Sequence, residues 1–199
     1  MTEEAGLIAR AARGDREAFE SLVRSRQERV FWTAFQVVGD EEDARDVAQQ
    51  VFIRLWKVLP RYRPRWRFDS WLYRITVNLA IDSYRRRQSR PEVPQPEGLE
   101  AEPTAEPGAA GETLPQAEIQ RIFLRLARRL SGQQRAVFVL KEMNGLDTRE
   151  IAKVMELSES TVRNHLHQAR KVLRRGLEAL YPEYLPGGNA GPRGPRGER

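Results

Sequence analysis

Two helix-start signals lie close together between residues 145 and 170, and they constrain the fold of the chain more than any other feature. Asp147 stands three residues before Glu150, the spacing of a capping box, and Ser158 can cap a second helix shortly afterwards. The second helix carries one apolar stripe at the helical period, formed by Val162, Leu166, Ala169 and Leu173. Two short helices joined by so brief a turn predict a helix-turn-helix, which places its second helix in the major groove of duplex DNA.

The face of the second helix opposite this stripe is polar, as a helix that reads base edges would be. At about 100° per residue, this face and its flanks hold Ser160, Arg163, Asn164, His167, Gln168 and Lys171. Arginine suits bidentate pairing with guanine, whereas asparagine and glutamine suit adenine. The helix ends in a basic run that includes Lys171, and such residues are typical of phosphate contacts, which position a protein without reading sequence: Arg170, Lys171, Arg174 and Arg175. The alternative interpretation is a solvated face on an ordinary helical hairpin.

The charge distribution divides the chain into two parts. The 199 residues carry a net charge of +6, but residues 91–120 contain seven acidic and no basic side chains. Six prolines fall between residues 91 and 115, with few apolar residues to bury. Such a composition predicts an extended, flexible acidic linker. We therefore expect one domain over residues 1–90, a linker over 91–115, a second domain over 116–181 and a disordered Gly/Pro-rich tail over 182–199.

Helical periodicity continues on both sides of the linker, and no convincing strand pattern occurs. Gly14-Asp15 and Gly39-Asp40 each combine a helix stop with an N-cap, and Asp69 or Ser70 can cap a later helix. The predicted helices cover about 3–12, 16–38, 41–59, 70–87, 116–129 and 131–143, followed by the helix-turn-helix. The expected fold is therefore all-α, with two small helical domains joined by the acidic linker.

A second nucleic-acid signal lies in the loop before the fourth predicted helix. In this loop Arg61, Arg63, Arg65 and Arg67 alternate with Tyr62, Pro64, Trp66 and Phe68. Cations that follow a backbone and rings that stack on bases suit unpaired strands, at roughly 1–3 kcal/mol per stacked base. On the helix itself, Tyr73, Arg74 and Asn78 share a face that would extend this surface. The alternative is core packing, which we favour for Trp71, Leu72, Ile75 and Leu79, whereas both interpretations stay open for the loop.

The composition argues against several other classes of protein. The chain has no cysteine, and its two histidines, His165 and His167, lie about 200° apart on one helix, so they cannot chelate one metal together. We found no Gly-rich phosphate loop and no nucleophile–base set, and we expect no enzyme activity, no metal and no cofactor. No apolar run approaches the roughly 20 residues that span a bilayer, and the N-terminus lacks a signal-peptide core. We expect a cytoplasmic protein without membrane insertion.

Four segments in this order resemble the extracytoplasmic-function (ECF) sigma factors, the small promoter-specificity subunits of bacterial RNA polymerase. The opening helices of that family are similar to GDREAFESLVRSRQERVFWTA, and its polymerase-binding helix is similar to DEEDARDVAQQVFIRLWK. Its −10 recognition helix is similar to FDSWLYRITVNLAIDSYRRR, and its −35 reader to GLDTREIAKVMELSESTVRNHLHQARKVLR. The resemblance implies that the polymerase performs the chemistry, while this chain supplies promoter choice and strand capture.

The resemblance also implies three groups of site residues. Core polymerase would contact Asp43, Asp46, Gln49, Gln50, Phe52, Arg54 and Trp56, of which Phe52 and Trp56 also suit the core. The −10 group is Tyr62, Arg65, Trp66, Arg67, Tyr73, Arg74 and Asn78. The −35 group is the polar face already described, Ser160, Arg163, Asn164, His167, Gln168 and Lys171. The implied partners are core RNA polymerase, promoter DNA in duplex and single-stranded form and, as for many relatives, an anti-sigma factor.

The sequence also departs from the family pattern. The turn of the helix-turn-helix reads MELS where relatives usually carry a glycine, so Glu156 must adopt the turn geometry. Gln168 stands where arginine is common, and His167 is uncommon at a base-facing position, so we do not transfer the usual −35 consensus. A competing hypothesis is a self-sufficient regulator that binds operator DNA without polymerase, usually as a dimer on a palindrome.

Overall fold

The computed structural model describes residues 3–63, 67–89 and 116–184, and every regular element within these ranges is helical, as expected. The α-helices are α1 (Glu3–Ala12), α2 (Arg16–Val38), α3 (Glu41–Val58), α4 (Phe68–Gln88), α5 (Gln116–Ala127), α6 (Gly132–Phe138), α7 (Thr148–Met155) and α8 (Glu159–Leu180). None of these described helices is both long and apolar enough to cross a membrane. The predicted linker at 91–115, most of the predicted tail, and Arg65 and Trp66 of the −10 group lie outside the described residues.

Shorter helical turns follow α3, α6 and α8. Leu59–Arg61 and Pro182–Tyr184 are 3-10 turns, and Val139–Met143 is a π-helical turn directly after α6. The helix predicted over 131–143 is therefore α-helical only as far as Phe138, since the Asn144 N–H bonds the Val139 carbonyl five residues back, at 3.0 Å. The turn at Pro182–Tyr184 falls inside the expected tail, where the Tyr184 hydroxyl donates to the Glu118 carboxylate at 2.8 Å.

Side-chain caps place most of the helix starts where the sequence predicts them. Five N-cap side chains each accept a hydrogen bond from a backbone N–H three residues on: Asp15, Asp40, Ser131, Asp147 and Ser158. At α7 the capping box is complete, because the Glu150 carboxylate also accepts from the Asp147 N–H, at 3.1 Å. The two helices of the predicted helix-turn-helix are thus both capped as expected.

The start of α4 differs from the prediction. The helix begins at Phe68, and Arg67 precedes it without a side-chain cap, so neither Asp69 nor Ser70 is the N-cap. The Asp69 carboxylate instead accepts hydrogen bonds from Arg26 at 2.9 Å and Arg29 at 3.0 Å, both on α2. Partners about 40 residues away in the chain have therefore taken the side chain that local spacing assigns to a cap.

Each half of the chain has a well-packed apolar interior. In the first half α2, α3 and α4 pack against one another and bury Leu22, Val37, Val47, Val51, Leu55 and Val77. In the second half α6 and α7 pack against α8, whose predicted stripe is buried at Val162, Leu166 and Ala169 and half-buried at Leu173. On the side of α8 that faces α5, a Cβ at Gly176 would meet the Leu126 Cδ2 at 2.7 Å, so this contact requires a glycine or a shift of Leu126.

The two halves are in contact with each other. α4 packs against α6 and α7, α2 packs against α6, and the buried residues form one continuous apolar cluster. Sequence reasoning predicts two helical domains and the elements of each. It does not predict this contact, which depends on pairs of residues far apart in the chain.

Arg135 of α6 is a buried cation at this contact, with an exposed fraction of 1%. Its Nε donates to the Gln36 carbonyl near the C-terminal end of α2 at 2.6 Å. The guanidinium carbon lies 5.7 Å from the centre of the Tyr84 ring and 5.8 Å from that of Phe123. Gly39 has a φ of +80°, and a Cβ there would meet the Arg135 Nη2 at 2.8 Å. Burial lowers the pKa of Arg135 to about 10.

The capping box of α7 gives a first testable prediction. Asp147→Ala removes the acceptor for the Glu150 N–H, which lies 2.7 Å from the Asp147 carboxylate. We expect the free energy of unfolding, measured by urea denaturation and circular dichroism, to fall by about 1 kcal/mol. In the control Glu150→Gln, an amide oxygen can still accept from the Asp147 N–H, and the loss should be smaller. An unfolding midpoint for Asp147→Ala equal to that of the unsubstituted chain would contradict this role of Asp147.

Candidate functional site

All the residues of α8 that are predicted to read bases are exposed to solvent. Ser160, Arg163, Asn164, His167, Gln168 and Lys171 are all exposed, because the opposite face of the helix is packed on α6 and α7. Arg163 pairs with Glu159 one turn earlier at 3.4 Å, an exposed contact that DNA can displace. This face presents hydrogen-bond donors and acceptors from one rigid, capped helix, as base reading in a major groove requires.

The turn before α8 contains the one non-glycine residue with a positive φ among the described residues. Glu156 has φ 55° and ψ 42°, a left-handed conformation, and its N–H donates to the Ala152 carbonyl. The prediction that Glu156 must adopt the turn geometry is therefore confirmed. A residue other than glycine costs roughly 1–2 kcal/mol in this region. The Glu156 carboxylate pairs with Arg74 of α4.

A basic groove of about 650 Å³ opens between α3, α4 and the second half of the chain. Asp82 is the one carboxylate among the described residues that line it, against five arginines: Arg54, Arg61, Arg63, Arg74 and Arg85. Tyr62 and Trp71 also line it, with their ring centres 5.1 Å apart. A groove that combines an excess of cations with aromatic rings suits a polyanion whose bases are exposed.

The groove gathers part of the predicted −10 group. Tyr62, Arg74 and Asn78 line it, and so does Arg54, which the family resemblance assigned to the polymerase contact. Arg61, Arg63 and Arg85 also line it, although they are not members of the −10 group. The alternation of arginine with aromatic residues in the loop was a signal for the first two of these.

Two other members of the −10 group face the second half of the chain. The Tyr73 hydroxyl accepts a hydrogen bond from the Asn144 side-chain amide at 3.2 Å, and burial raises the pKa of Tyr73. Arg67 lies 3.6 Å from the Glu150 carboxylate of α7. In this arrangement these two side chains are therefore engaged by the helix-turn-helix half.

The outer face of α3 exposes most of the predicted polymerase group, namely Asp46, Gln49, Gln50, Arg54 and Trp56. Trp56 packs edge-on against Phe19, with ring centres 4.7 Å apart, and still exposes 37% of its surface. Ile53 lies on the same face and is 50% exposed, although it was not assigned to this group. Exposed apolar side chains among polar ones are a common composition for a protein–protein contact.

Asp43 and Phe52 are only partly exposed, and both have partners within the chain. Phe52 is half-buried against the core, and the Asp43 carboxylate accepts from Arg87 of α4 at 2.8 Å. Arg87 also pairs with Asp40 at 2.8 Å. Burial raises the pKa of Asp40, but hydrogen bonds from the Asp43 N–H and from Arg87 outweigh it, and the pKa lies below its usual value. These contacts tie the start of α3 to the end of α4.

Comparison with known proteins places both halves in one family. Residues 22–90 match Sigma-70 region 2, and residues 120–173 match Sigma-70 region 4. The chain is 31% identical over 180 residues to the ECF RNA polymerase sigma-E factor of Escherichia coli (strain K12), covering 87% of this chain and 94% of that relative. It is 27% identical over 179 residues to the ECF RNA polymerase sigma factor SigW of Bacillus subtilis (strain 168), covering 87% and 96%.

A solved structure is similar to the chain in both of its halves. The structure of CnrH in complex with the cytosolic domain of CnrY covers 87% of this chain and 96% of that chain, with a TM-score of 0.64 and 26% identity. The sequence match and the fold match thus extend over both helical halves, the one that carries the basic groove and the one that carries the helix-turn-helix. The chain belongs to the ECF RNA polymerase sigma factors.

Proposed function

We propose that this ECF sigma factor directs RNA polymerase to promoters through three separate surfaces. The polar face of α8 reads the −35 element as duplex, the basic groove holds the −10 strand once it is unpaired, and the outer face of α3 docks on core polymerase. The polymerase carries out the chemistry, so this chain supplies promoter choice without a catalytic residue, metal or cofactor of its own. Because bacterial RNA polymerase works in the cytoplasm, we place the chain there.

The proposal rests on the presence of two unlike nucleic-acid surfaces in one chain. The exposed side chains of α8 suit base edges in a major groove. The basic groove, with Tyr62 and Trp71 among its arginines, suits bases whose faces are exposed. Duplex DNA exposes no base faces, so a regulator that acts only on duplex operators would have no use for the second surface.

We infer that a protein inhibitor is a further partner. CnrH, which is 26% identical to this chain, was solved in complex with the cytosolic domain of CnrY, and the sigma factor RpoE from Bartonella quintana, which shares the fold, was solved in complex with the anti-sigma factor NepR. An anti-sigma factor that covers the α3 face would prevent docking on polymerase. One that covers the basic groove would prevent capture of the −10 strand. The partners are thus core polymerase, promoter DNA and an anti-sigma factor.

Reconstitution with polymerase tests the proposed function. The purified full-length chain is added to sigma-free core polymerase with a template library randomised in both promoter elements, and the transcripts are sequenced. We expect the chain to bind core polymerase and to select a two-part promoter. No association with core and no added transcription would refute the proposal. Tight binding to a palindrome by the chain alone would support the self-sufficient regulator.

Substitutions on α8 should change promoter choice at single positions. Arg163→Ala or Asn164→Ala should each cost roughly 1–3 kcal/mol at particular −35 base pairs, because each removes a donor set that reads one base edge. The measurement is transcription by the reconstituted holoenzyme from templates with each −35 base pair varied. Lys171→Ala is the control, and it should weaken binding to all templates alike, as loss of a phosphate contact does. Identical base preferences in all three variants would contradict this assignment.

A further inference from the structure

Four charged side chains form an ion network close to the aromatic rings of the basic groove. Arg26 of α2 pairs with Glu4 of α1, and its Nε donates to one oxygen of the Asp69 carboxylate at 2.9 Å. Arg29 of α2 donates to the other oxygen of Asp69 at 3.0 Å. Asp69 is the second residue of α4, so the ion network joins α1, α2 and the start of α4.

Arg26 is the central member of the ion network, because it contacts both carboxylates. Its side chain is 16% exposed, against 53% for Glu4 and 31% for Asp69. An isolated, exposed ion pair contributes little to stability, but hydrogen bonds between charged groups at a half-buried site are stronger and fix geometry. Removing the guanidinium of Arg26 would therefore release α1 from the start of α4.

Two segments carry the rings that line the groove, and the ion network lies at both. Tyr62 directly follows the turn Leu59–Arg61, which packs against α1. Trp71 lies in the first turn of α4, two residues after Asp69, and its ring centre is 5.1 Å from that of Tyr62. Holding α1 against the start of α4 therefore also holds the Tyr62 ring in place relative to the Trp71 ring.

The electrostatics of Tyr62 show that both carboxylates of the ion network are near its ring. Burial raises the pKa of Tyr62, and the negative charges of Glu4 and Asp69 raise it further. Glu4, Arg26, Arg29 and Asp69 are not among the described residues that line the groove. Their two negative and two positive charges cancel, so the ion network adds no net attraction for a polyanion. Its effect on the groove is therefore one of geometry.

We propose that Arg26 is a positioning residue for promoter opening, since it holds the start of α4 on α1 and so keeps Tyr62 and Trp71 placed to stack on unpaired bases. This inference rests on the proposed function, which assigns the basic groove to the −10 strand. A ring that shifts on loss of Arg26 stacks less well, and capture of the unpaired strand slows. Reading of the −35 duplex by α8 does not involve the ion network and is retained.

Arg26→Gln in the reconstituted holoenzyme tests this role on the promoter that the unsubstituted chain selects. Two steps are measured separately: closed-complex affinity by gel shift at low temperature, and opening by the time course of permanganate reactivity at −10 thymines. We expect the rate of opening to fall by about tenfold, while the closed-complex affinity stays within about twofold. Arg26→Lys keeps the positive charge and should recover part of the lost rate.

Arg24 offers a matched control on the same helix. It pairs with Glu20 within α2 at 3.5 Å and makes an exposed contact, so Arg24→Gln is the same chemical change outside the ion network. Its rate of opening should stay within about twofold of the original. The double variant Arg26→Gln with Asp69→Asn should open no more slowly than the slower of its two single variants, because both substitutions remove the same contact.

The outcomes separate this inference from the proposed function. Equal rates of opening for Arg26→Gln and Arg24→Gln would overturn the inference and leave the proposed function standing. Equal losses in closed-complex affinity and in opening, together with a lower unfolding midpoint in urea, would make Arg26 a residue of the fold alone and would also overturn it. If the unsubstituted chain gives no promoter-specific transcription with core polymerase, the proposed function is wrong, and this inference is wrong with it.

Discussion

Replacing Ile53 with aspartate is expected to weaken the binding of the chain to core RNA polymerase by about 30-fold or more, equivalent to roughly 2 kcal/mol. Ile53 is 50% exposed at the centre of the outer face of α3, one turn from Gln49 and within a turn of Trp56. Burying a carboxylate in an apolar contact leaves it without water or a partner, and this desolvation carries a large penalty. Affinity for core polymerase, measured by titration with labelled chain, gives the result directly.

Ile119 offers a closely matched control for Ile53. It is 49% exposed on α5, outside the polymerase group, so Ile119→Asp makes the same chemical change at the same exposure. Both side chains are only half-buried, and we expect each variant to unfold within about 1 kcal/mol of the unsubstituted chain. Equal affinities of the two variants for core polymerase would show that the outer face of α3 is not the docking surface.

The exposure of Ile53 on the outer face of α3 can be predicted from the sequence. In an α-helix, residues three and four apart share a face, and Gln49, Gln50 and Lys57 lie at these spacings from Ile53. The residues buried on α3 are Ala44, Val47, Val51 and Leu55, which form a different stripe. The helical period thus separates Ile53 from the buried stripe and places it among the exposed polar residues of α3. The same period, applied to α8, predicted its buried stripe and its exposed face.

The contacts between the two halves cannot be predicted from the helical period or from local sequence. Caps such as Asp147 and Ser158 act within four residues, so the local sequence specifies them. Arg135 has no local partner: its acceptor is the Gln36 carbonyl, 99 residues earlier in the chain. A lone arginine near a helix start usually lies in solvent, and nothing in the sequence around it indicates that it is 1% exposed. Local spacing predicts Asp69 or Ser70 as a cap for the same reason, since the partners of Asp69 on α2 are remote.

The contact between the halves also has a consequence for stability. Leu140, fully buried in the π-helical turn of the second half, belongs to the one apolar cluster that includes both halves. Leu140→Ala should lower the free energy of unfolding by about 2–5 kcal/mol, since it removes buried methyl groups and leaves a cavity. If the two halves unfold as one cooperative unit, the first half should lose stability as well.

Tryptophan fluorescence makes this coupling measurable, because all four tryptophans, Trp32, Trp56, Trp66 and Trp71, lie in the first half. In urea, fluorescence reports the first half alone, whereas circular dichroism reports the helices of both. We expect Leu140→Ala to lower both midpoints together, and the counterpart Leu22→Ala, in the core of the first half, to do the same. A fluorescence midpoint that stays at its original value in Leu140→Ala would show that the halves unfold independently, with their contact too weak to couple them.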